Sequence, residues 1–512
     1  MGIGRTWSVS LLGLRGAVVE IEADLSAGLP AFVLIGLPDA ALGEAKDRVR
    51  SAATNSGCGL PTRKITVNLS PAALPKHGSG FDLGIALAAL AAADSVRAES
   101  IERVLHLGEL GLDGRLRPID GILPAVLAAS RAGFETVMVP VGNADEASLV
   151  PGVRVIPVAS LRQAAIWHGG EFEPEPIEPI LRAALPVADE HEPDLAEIVG
   201  SDDAVEAMLV AAAGGHHVFL LGPPGAGKTM LASRLPGLLP DLDADAALEV
   251  SSLRSLSGLP VGGSLSSRPP FEAPHHTATA ASLVGGGSGQ IRPGAAARAS
   301  HGVLFLDEAP EFPSSVLDAL RQPLESGVIS IHRANAVAHF PGRFQLVMAA
   351  NPCPCGQYGA RDSECTCPPH SRRRYVGRLS GPLLDRIDIQ FRVQRITAAQ
   401  LRVAGDGSPR LTSVAARARV ISARARAEQR LAGTPWTLNS HVPGSWLRGP
   451  QARLSAATTS TLDRALERGG ITMRGYDRVL RVAWTITDLA GDDRPTADHI
   501  NQALYLRRAT ST

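Results

Sequence analysis

Short apolar runs alternate with polar and glycine-rich stretches along most of the chain. Ala17–Ala23 and Lys64–Leu69 alternate apolar and polar residues, and this period predicts two half-buried strands. Leu83–Ala92 is rich in Ala and Leu and predicts a buried helix, whereas Val137–Pro140 predicts a core strand that ends at a proline. We therefore expect an α+β domain in the first third of the chain.

Three later segments are short and wholly apolar, namely Val218–Leu221, Val303–Leu306 and Val347–Ala350. Such segments are typical of strands that are buried on both faces of a parallel sheet. The predicted fold class of this region is α/β, with a parallel sheet flanked by helices.

From about residue 395 the pattern becomes helical. The predicted helices are Val414–Arg430, Arg474–Asp488 and Ala497–Arg508. The first of them places four apolar residues on one face: Val414, Ala418, Ile421 and Ala425. Its arginines Arg417 and Arg424 share another face, which we expect to be solvated.

The segment that directly follows Val218–Leu221 reads GPPGAGKT and fits the phosphate-loop pattern G-x-x-x-x-G-K-[ST]. Glycines let the backbone turn so that its N–H groups, with the start of the next helix, bind phosphate. Lys228 would reach the β- and γ-phosphates of ATP, and Thr229 would ligate Mg²⁺. The predicted nucleotide-binding residues are Gly222, Pro223, Pro224, Gly225, Ala226, Gly227, Lys228, Thr229 and Asp307.

The other two apolar strands also end in polar residues. Asp307 and Glu308 follow Val303–Leu306, and we expect Asp307 to hold the Mg²⁺ shell and Glu308 to polarise the attacking water. Asn351 follows the third strand and would orient that water or contact the γ-phosphate, although a helix-capping Asn is an alternative. Arg386 lies among acids in GPLLDRID, where a helix ion pair is the alternative.

Four of the five cysteines are close in sequence, at Cys353, Cys355, Cys365 and Cys367. Four soft ligands on two tight turns suit tetrahedral Zn²⁺, with His370 as a spare ligand; reduced thiols and disulfides are the alternatives. A basic run follows directly and consists of Arg372, Arg373, Arg374 and Arg378. It is the best local candidate for phosphate contacts, and a solvated loop or a subunit contact is the alternative. The isolated Cys58 is predicted to be a small buried residue.

Two further segments are predicted to face a substrate. Leu235–Ser300, between the phosphate loop and the acidic strand end at Asp307, is rich in Gly, Pro and Ser. Its part Ser255–Gly289 is predicted to be a loop that faces a pore or the substrate. The pair His275-His276 in this loop favours a hydrogen-bonded structural role over a metal site. Gly327–Phe344 alternates like a hairpin, whose tip carries His332, Arg333 and Asn335; an ordinary solvated tip is the alternative.

Composition and charge narrow the class of protein. The 512 residues carry a net charge of −1, so any nucleic-acid surface must be local, and only 4% are aromatic, which disfavours extended base stacking. No apolar run is long enough to span a membrane, and the N-terminus resembles a mature cytoplasmic start. The acidic, Pro-rich stretch 171–194 predicts a linker. We expect the parts 1–170, 171–194, 195–395 with a Cys-rich insertion at 353–367, and 396–512.

Together these motifs resemble the AAA+ ATPases, and within them the ComM (YifB) family of the magnesium-chelatase-like group. The matching strings are GPPGAGKTML, PHHT, GVLFLDEAPEF, ALRQPLESGV, NPCPCG, GPLLDRID and RGYDRVLRV. The resemblance implies that Asn351 is sensor 1, that Arg386 is an arginine finger acting on a neighbouring subunit, and that Arg474 is sensor 2 on a helical lid. It also implies a homo-hexamer.

The N-terminal part resembles the proteolytic domain of Lon, in KHGSG and in GELGLDGRLRPIDGILPAVLAASRAG. That domain uses a Ser–Lys dyad. Gly80 and Leu123 fall where the resemblance places its two members, and Ser79 is one position away. Because both partners must lie within hydrogen-bond reach, we expect a scaffold or nucleic-acid-binding domain and no peptidase.

The resemblance favours an ATP-driven ring that translocates on single-stranded or branched DNA and promotes branch migration in recombination or natural transformation. The alternatives are a magnesium-chelatase-type motor and an ATPase that remodels proteins. The absence of an evident pore-loop aromatic disfavours the last, and the N-terminal domain and the four cysteines disfavour the chelatase.

Overall fold

Two separate sheets form the framework of the protein. The computed structural model describes residues 2–36, 40–74, 76, 78–182, 192–287, 291–333, 336–358, 365–397, 400 and 410–507. Parts of several predictions lie outside these residues: Pro75, His77, Asn335, Arg508, residues 183–191 of the linker, Gly289 and residues 359–364 of the Cys-rich insertion. Among the described residues, no helix is long and apolar enough to cross a membrane.

The first sheet is mixed and has seven strands in the order β3-β4-β2-β1-β5-β8-β9. The N-terminal strands are β1 Gly4–Leu12, β2 Arg15–Ser26, β3 Ala31–Ile35, β4 Lys64–Ser70, β5 Leu105–His106, β6 Glu109–Leu110, β7 Leu116–Arg117, β8 Thr136–Pro140 and β9 Arg154–Val158. Strands β1, β2 and β4 are antiparallel neighbours, and β2 pairs with β4 at Ile21 and Leu69. Side chains of β4 alternate between buried and less buried positions, which confirms the predicted half-buried strand.

Helices cover this sheet. They span Ala40–Gly43, Ala45–Asn55, Asp82–Ala92, Ala98–Ile101, Ile122–Arg131, Ala144–Ala147 and Leu161–Trp167, with a 3₁₀ turn at Val141–Asn143. Every residue of Asp82–Ala92 is buried, as its composition predicts. The helix packs on β1 and β2, where its small alanines allow close approach.

The second sheet is parallel and has five strands in the order β11-β14-β17-β10-β18. The remaining strands are β10 Val218–Leu221, β11 Phe271–Glu272, β12 Gly285–Gly286, β13 Arg292–Pro293, β14 Val303–Leu306, β15 Val328–Arg333, β16 Ala336–Pro341, β17 Gln345–Ala350 and β18 Ile389–Arg392. All residues of β10, β14 and β17 are buried, so the three predicted strands are confirmed. Since the strands are parallel, their carboxyl ends lie at one edge of the sheet.

Helices flank the parallel sheet and continue to the C-terminus. Those of the central region are Asp202–Gly214, Lys228–Leu238, Ala244–Leu256, Ala280–Val284, Ala295–Arg298, Ser314–Asp318, Arg321–Ser326, Pro369–Val376 and Gly381–Leu384, with 3₁₀ turns at Leu195–Glu197 and Ala309–Glu311. Those of the C-terminal region are Ser413–Arg430, Gly444–Leu447, Ala456–Glu467, Met473–Ala490 and Ala497–Tyr505, with a 3₁₀ turn at Asn439–His441.

The helix Ser413–Arg430 is turned differently from the prediction. The predicted apolar face is exposed along its length: Val414, Ala418, Ile421 and Ala425. A different set is buried: Ala416, Val420, Ala423 and Ala427. Arg424 is not solvated, because its guanidinium donates to the carbonyl oxygen of Ala212 at 2.6 Å. The packing of this helix on Asp202–Gly214 therefore overrides the sequence pattern.

The N-terminal domain is packed against the insertion Leu235–Ser300, the Gly-, Pro- and Ser-rich stretch of the central region. This insertion contains the regular helix Ala244–Leu256, which packs on Ile122–Arg131. Gly121 N–H donates to the Ser255 carbonyl oxygen at 3.0 Å, and Leu123 N–H donates to Ser255 Oγ at 3.3 Å. Ser255 is fully buried, so the predicted pore loop does not begin there. Leu123, which stands where the Lon resemblance places lysine, is buried where the N-terminal domain contacts the central region.

A buried charge joins the parallel sheet to the C-terminal helices. Asp388 is 1% exposed and pairs with Arg478, and its Oδ2 lies 3.2 Å from His216 Nδ1. Although burial opposes ionisation, Arg478 and His216 hold the pKa of Asp388 well below its usual range.

We expect Asp388→Asn to lower the free energy of unfolding by about 3–5 kcal/mol, because it leaves Arg478 without its buried counter-charge. Urea denaturation would measure the loss. Asp385→Asn is the control: this acid is 40% exposed and 3.9 Å from Arg474, so we expect a loss below about 1 kcal/mol.

The stabilisation by ionised Asp388 is present above the unfolded-state pKa of aspartate and is lost as the pH falls through the lower folded-state pKa. The difference in free energy of unfolding between the wild type and Asp388→Asn should therefore narrow in acid. Equal stability of the wild type and Asp388→Asn at neutral pH would contradict this account.

Candidate nucleotide-binding site

The phosphate loop connects β10 to the helix Lys228–Leu238. Gly225 and Gly227 have φ values of 76° and 82°, the left-handed region that favours glycine. A Cβ on Gly222 would lie 2.4 Å from the Val393 carbonyl oxygen, so glycine is required there for close approach. The loop therefore has the backbone conformation that its glycines predict.

Lys228 lies inside this loop and is only 8% exposed. Its Nζ donates to the carbonyl oxygens of Gly222 at 2.7 Å and Pro223 at 3.0 Å, and to Asn351 Oδ1 at 3.1 Å. Burial lowers the pKa of Lys228, and the carboxylates of Asp307 and Glu308 oppose this shift. The lysine is thus an ammonium surrounded by oxygens at the edge of the sheet, and Asn351 from β17 is one of its partners.

Asp307 and Thr229 are also brought together. Thr229 Oγ1 donates to Asp307 Oδ2 at 2.8 Å, and the other Asp307 oxygen accepts the Glu308 backbone N–H at 2.9 Å. A hydroxyl and a carboxylate in contact are oxygen ligands of the kind that Mg²⁺ prefers. The donor set therefore fits this cation.

Glu308 has a left-handed backbone, with φ of 49° and ψ of 42°. This conformation costs a residue with a side chain on the order of 1–3 kcal/mol, and such positions are concentrated at functional sites. Its carboxylate is half exposed, and Oε2 lies 3.3 Å from His276 Nδ1.

His276 is a residue of the site that sequence reasoning missed. The sequence favours a structural role for His275-His276 because no acid lies near the pair in the chain, but Glu308, at the end of β14, supplies an acid to His276. His275 does follow the expectation, since its Nδ1 lies 2.9 Å from Thr277 Oγ1 and the two imidazole rings are 4.0 Å apart. The feature that points to this contact is the position of the histidine pair directly after β11, because β11 is the neighbour of β14 in the sheet.

Arg386 and Arg474 lie together on another surface. They line a cavity of about 1010 Å³ between the sheet region and the C-terminal helices, and no residue of the phosphate loop lines it among the described residues. Arg386 pairs with Glu325 and donates to the Pro382 carbonyl oxygen, while its Nε is buried without a hydrogen-bond partner in the described structure. Arg474 is 73% exposed, with Nη1 3.9 Å from Asp385 Oδ2.

The four clustered cysteines converge in space. Their sulfur atoms all lie within 4.8 Å of one another, and no other group of three or more potential ligands occurs among the residues that the structure describes. His370 is not part of the group. This donor set makes the cluster a possible zinc site.

The basic run follows the last of these cysteines: Arg372, Arg373 and Arg374 lie on the helix Pro369–Val376, and Arg378 comes after it. The Arg372 guanidinium stacks 4.0 Å from the centroid of the Tyr358 ring, whereas Arg378 pairs with Glu311 at 3.0 Å. In the predicted hairpin, now β15 and β16, Arg333 donates to the Gly287 carbonyl oxygen. The two predicted substrate-facing segments are therefore in contact with each other.

A phosphate loop and two polar strand ends at the edge of a parallel sheet define the class of P-loop nucleotide-binding proteins. Three family profiles match the chain: magnesium chelatase, subunit ChlI, over residues 194–401; subunit ChlI of Mg-chelatase over 21–143; and the C-terminal region of subunit ChlI over 410–507.

Relatives are similar over nearly the full length. An uncharacterized protein of Mycobacterium tuberculosis is 49% identical over 99% of both chains. Competence protein ComM of Haemophilus influenzae is 41% identical over 99% of this chain and 98% of its own, and YifB of Escherichia coli is 37% identical over 97% and 95%. The chain belongs to the ComM/YifB family of magnesium-chelatase-like AAA+ proteins. Membership of this AAA+ ATPase family implies ATP and Mg²⁺.

The N-terminal domain has its own similarity. Lon protease of Mycolicibacterium smegmatis is 33% identical over 156 residues, which are 29% of this chain and 20% of that protein. In this chain Ser79 Oγ donates to Glu109, and the buried Leu123 stands where the resemblance places lysine.

We expect His276→Ala to lower kcat for ATP hydrolysis about tenfold, or about 1.4 kcal/mol, and to leave ATP affinity unchanged, because its Nδ1 lies 3.3 Å from the Glu308 carboxylate and helps to position that group. His276→Asn retains a donor and should recover most of the rate. Phosphate release and titration with a fluorescent ATP analogue measure the two quantities, and His275→Ala serves as the control. A wild-type rate in His276→Ala would exclude this role.

Proposed function

We propose that the protein is an ATP-dependent hexameric motor that translocates on single-stranded or branched DNA and promotes branch migration in recombination or natural transformation. The convergence of Lys228, Thr229, Asp307, Glu308 and Asn351 at one edge of the parallel sheet carries the ATPase part of this proposal. The similarity to a competence protein supports the DNA part.

In the proposed reaction, the phosphate loop binds the triphosphate through its backbone N–H groups, and Lys228 neutralises the β- and γ-phosphates. Thr229 and Asp307 would hold Mg²⁺. Glu308 would polarise the attacking water, and Asn351 would orient it. The Asn351 Oδ1 contact with Lys228 Nζ supports this, since it already joins the end of β17 to the loop.

Arg386 and Arg474 are proposed to complete the site of the neighbouring subunit. Both line one cavity away from the phosphate loop, which supports action in trans from a shared surface. A head-to-tail contact of this kind repeats until a ring closes. An arginine that reaches the transferring phosphoryl group can contribute about 10³–10⁵ in rate.

For DNA, we propose contacts from the basic helix Pro369–Val376 and from the paired loops around Arg333. Arg372 already stacks on the half-exposed ring of Tyr358, an arrangement that also suits a phosphate or a base. For cofactors we propose ATP, Mg²⁺ and, in the four-cysteine cluster, Zn²⁺. A magnesium-chelatase-type motor is the second candidate, because the matching profiles carry that description.

Glu308→Gln is expected to bind ATP with unchanged affinity and to lose at least about a hundredfold in hydrolysis, because the amide cannot accept a proton from water. Binding of a fluorescent ATP analogue and phosphate release measure the two properties. Glu99→Gln, the same change at an exposed position on the N-terminal helix Ala98–Ile101, is the matched control and should keep both properties. Near wild-type turnover in Glu308→Gln would remove this residue from the mechanism.

Mixing two inactive variants tests action in trans. In a random ring of Lys228→Ala and Arg386→Ala subunits, about one interface in four has both intact partners, so we expect about a quarter of wild-type ATPase activity. Lys228→Ala mixed with Arg474→Ala should recover similarly if Arg474 also acts in trans. Failure of the first mixture, with both variants assembled, would contradict the role of Arg386.

The DNA proposal is tested by fluorescence anisotropy with single-stranded and forked DNA across salt concentrations, with a non-hydrolysable ATP analogue. We expect salt-sensitive binding and stimulation of ATPase by DNA but not by unfolded protein or porphyrin. Stimulation by porphyrin alone would instead support the chelatase-type function.

A further inference from the structure

Three sulfur–sulfur distances in the four-cysteine cluster are closer to the edge of a metal tetrahedron than to a disulfide bond. Cys353 Sγ lies 3.3 Å from Cys355 Sγ and 3.7 Å from Cys365 Sγ, and the last two are 3.6 Å apart. With Zn–S bonds of about 2.3 Å, the edge of a regular tetrahedron is about 3.8 Å. A disulfide bond is only about 2.05 Å long.

The same segment that carries the first two cysteines contacts the phosphate loop. Cys353 is fully buried and follows Asn351, the partner of Lys228, by two residues. Gly356 N–H donates to the Cys353 carbonyl oxygen at 2.9 Å. This tight turn places Gly356 so close to the loop that an added Cβ would lie 2.6 Å from Pro224 Cδ.

A second contact holds the segment from the other side. The Arg395 guanidinium donates to the Pro224 carbonyl oxygen at 3.3 Å and to Gln357 Oε1 at 3.4 Å. Pro224 thus contacts both the glycine of the turn and this arginine. The other two cysteines, Cys365 and Cys367, come later in the chain and adjoin this segment through the sulfur cluster.

We propose that Zn²⁺ bound by Cys353, Cys355, Cys365 and Cys367 holds the segment Asn351–Tyr358 against the phosphate loop, so that nucleotide affinity depends on metal occupancy. The inference deepens the proposed function and rests on its ATP-binding part alone. Without the metal, the turn at Gly356 is joined to the second pair of cysteines only through the intervening chain. Asn351 and Pro224 then lose the support that fixes the geometry of the loop.

The test measures zinc by mass spectrometry and affinity with a fluorescent non-hydrolysable ATP analogue, both on the full-length protein purified under reducing conditions. We expect about one zinc ion per chain in the wild type. The variant Cys365→Ser/Cys367→Ser, which alters the ligands away from the loop, should lose the zinc and bind the analogue at least about fivefold more weakly. Cys58→Ala, in the buried core of the N-terminal domain, is the matched control and should keep both properties.

Gly356→Ala separates the metal from the contact. It should retain zinc and still bind the analogue more weakly, because its Cβ displaces Pro224 and its φ of 77° disfavours a side chain. Lys228→Ala should retain zinc and lose nucleotide binding. If the wild type itself fails to bind the analogue, the proposed ATPase function fails independently of the metal.

Reversibility excludes simple misfolding of the cysteine variant. Removal of zinc from the wild type with a chelator should weaken analogue binding to the same extent, and added Zn²⁺ should restore it. A wild type without zinc would overturn the metal site. Loss of zinc with unchanged analogue affinity would overturn the dependence of the phosphate loop on it.

Discussion

The candidate nucleotide site depends on the sheet edge at which three buried parallel strands end. Since β10, β14 and β17 are apolar on both faces, the polar residues that follow each strand can only lie at the sheet edge. There the Lys228 ammonium donates to the Gly222 carbonyl oxygen and to Asn351 Oδ1, and the carboxylates of Asp307 and Glu308 interact with its charge. A buried cation held by neutral oxygens is an electrostatic site for an anion. The fold thus creates a phosphate site before any substrate-specific feature is added.

Two other parts of the molecule reach this edge. The segment after β11 reaches it through His276, and it is continuous with the insertion whose helix is packed on the N-terminal domain at Ser255. The cysteine cluster reaches it through Gly356 and Pro224. Each connection joins a candidate substrate-facing surface to a group that would act on nucleotide. We propose that these contacts would couple hydrolysis to movement on DNA, because a displacement at either surface would change the environment of Glu308 or of the loop.

Much of this arrangement could be predicted because it is local in sequence. The strand ends and the glycine loop can each be recognised from a few consecutive residues, and the four cysteines follow a recognisable spacing. The sequence could not reveal that His276 meets Glu308, since their contact depends on which strands are neighbours in the sheet. The prediction of the buried face of Ser413–Arg430 was wrong for another reason. Ala and Val occur on opposite faces of this helix, so apolar periodicity does not show which face is buried. The shared surface of Arg386 and Arg474 likewise depends on how the C-terminal helices pack.

We propose that a nucleotide bound at the edge of the sheet is hydrolysed only when a neighbouring subunit supplies a guanidinium. The most direct test of this central claim is the specific ATPase activity as a function of protein concentration, with the assembly state followed by sedimentation velocity in the same buffer. The account predicts negligible turnover per chain where the protein sediments as a monomer, and a steep rise through the concentration range of assembly. A specific activity that stays constant while the protein changes from monomer to ring would contradict it.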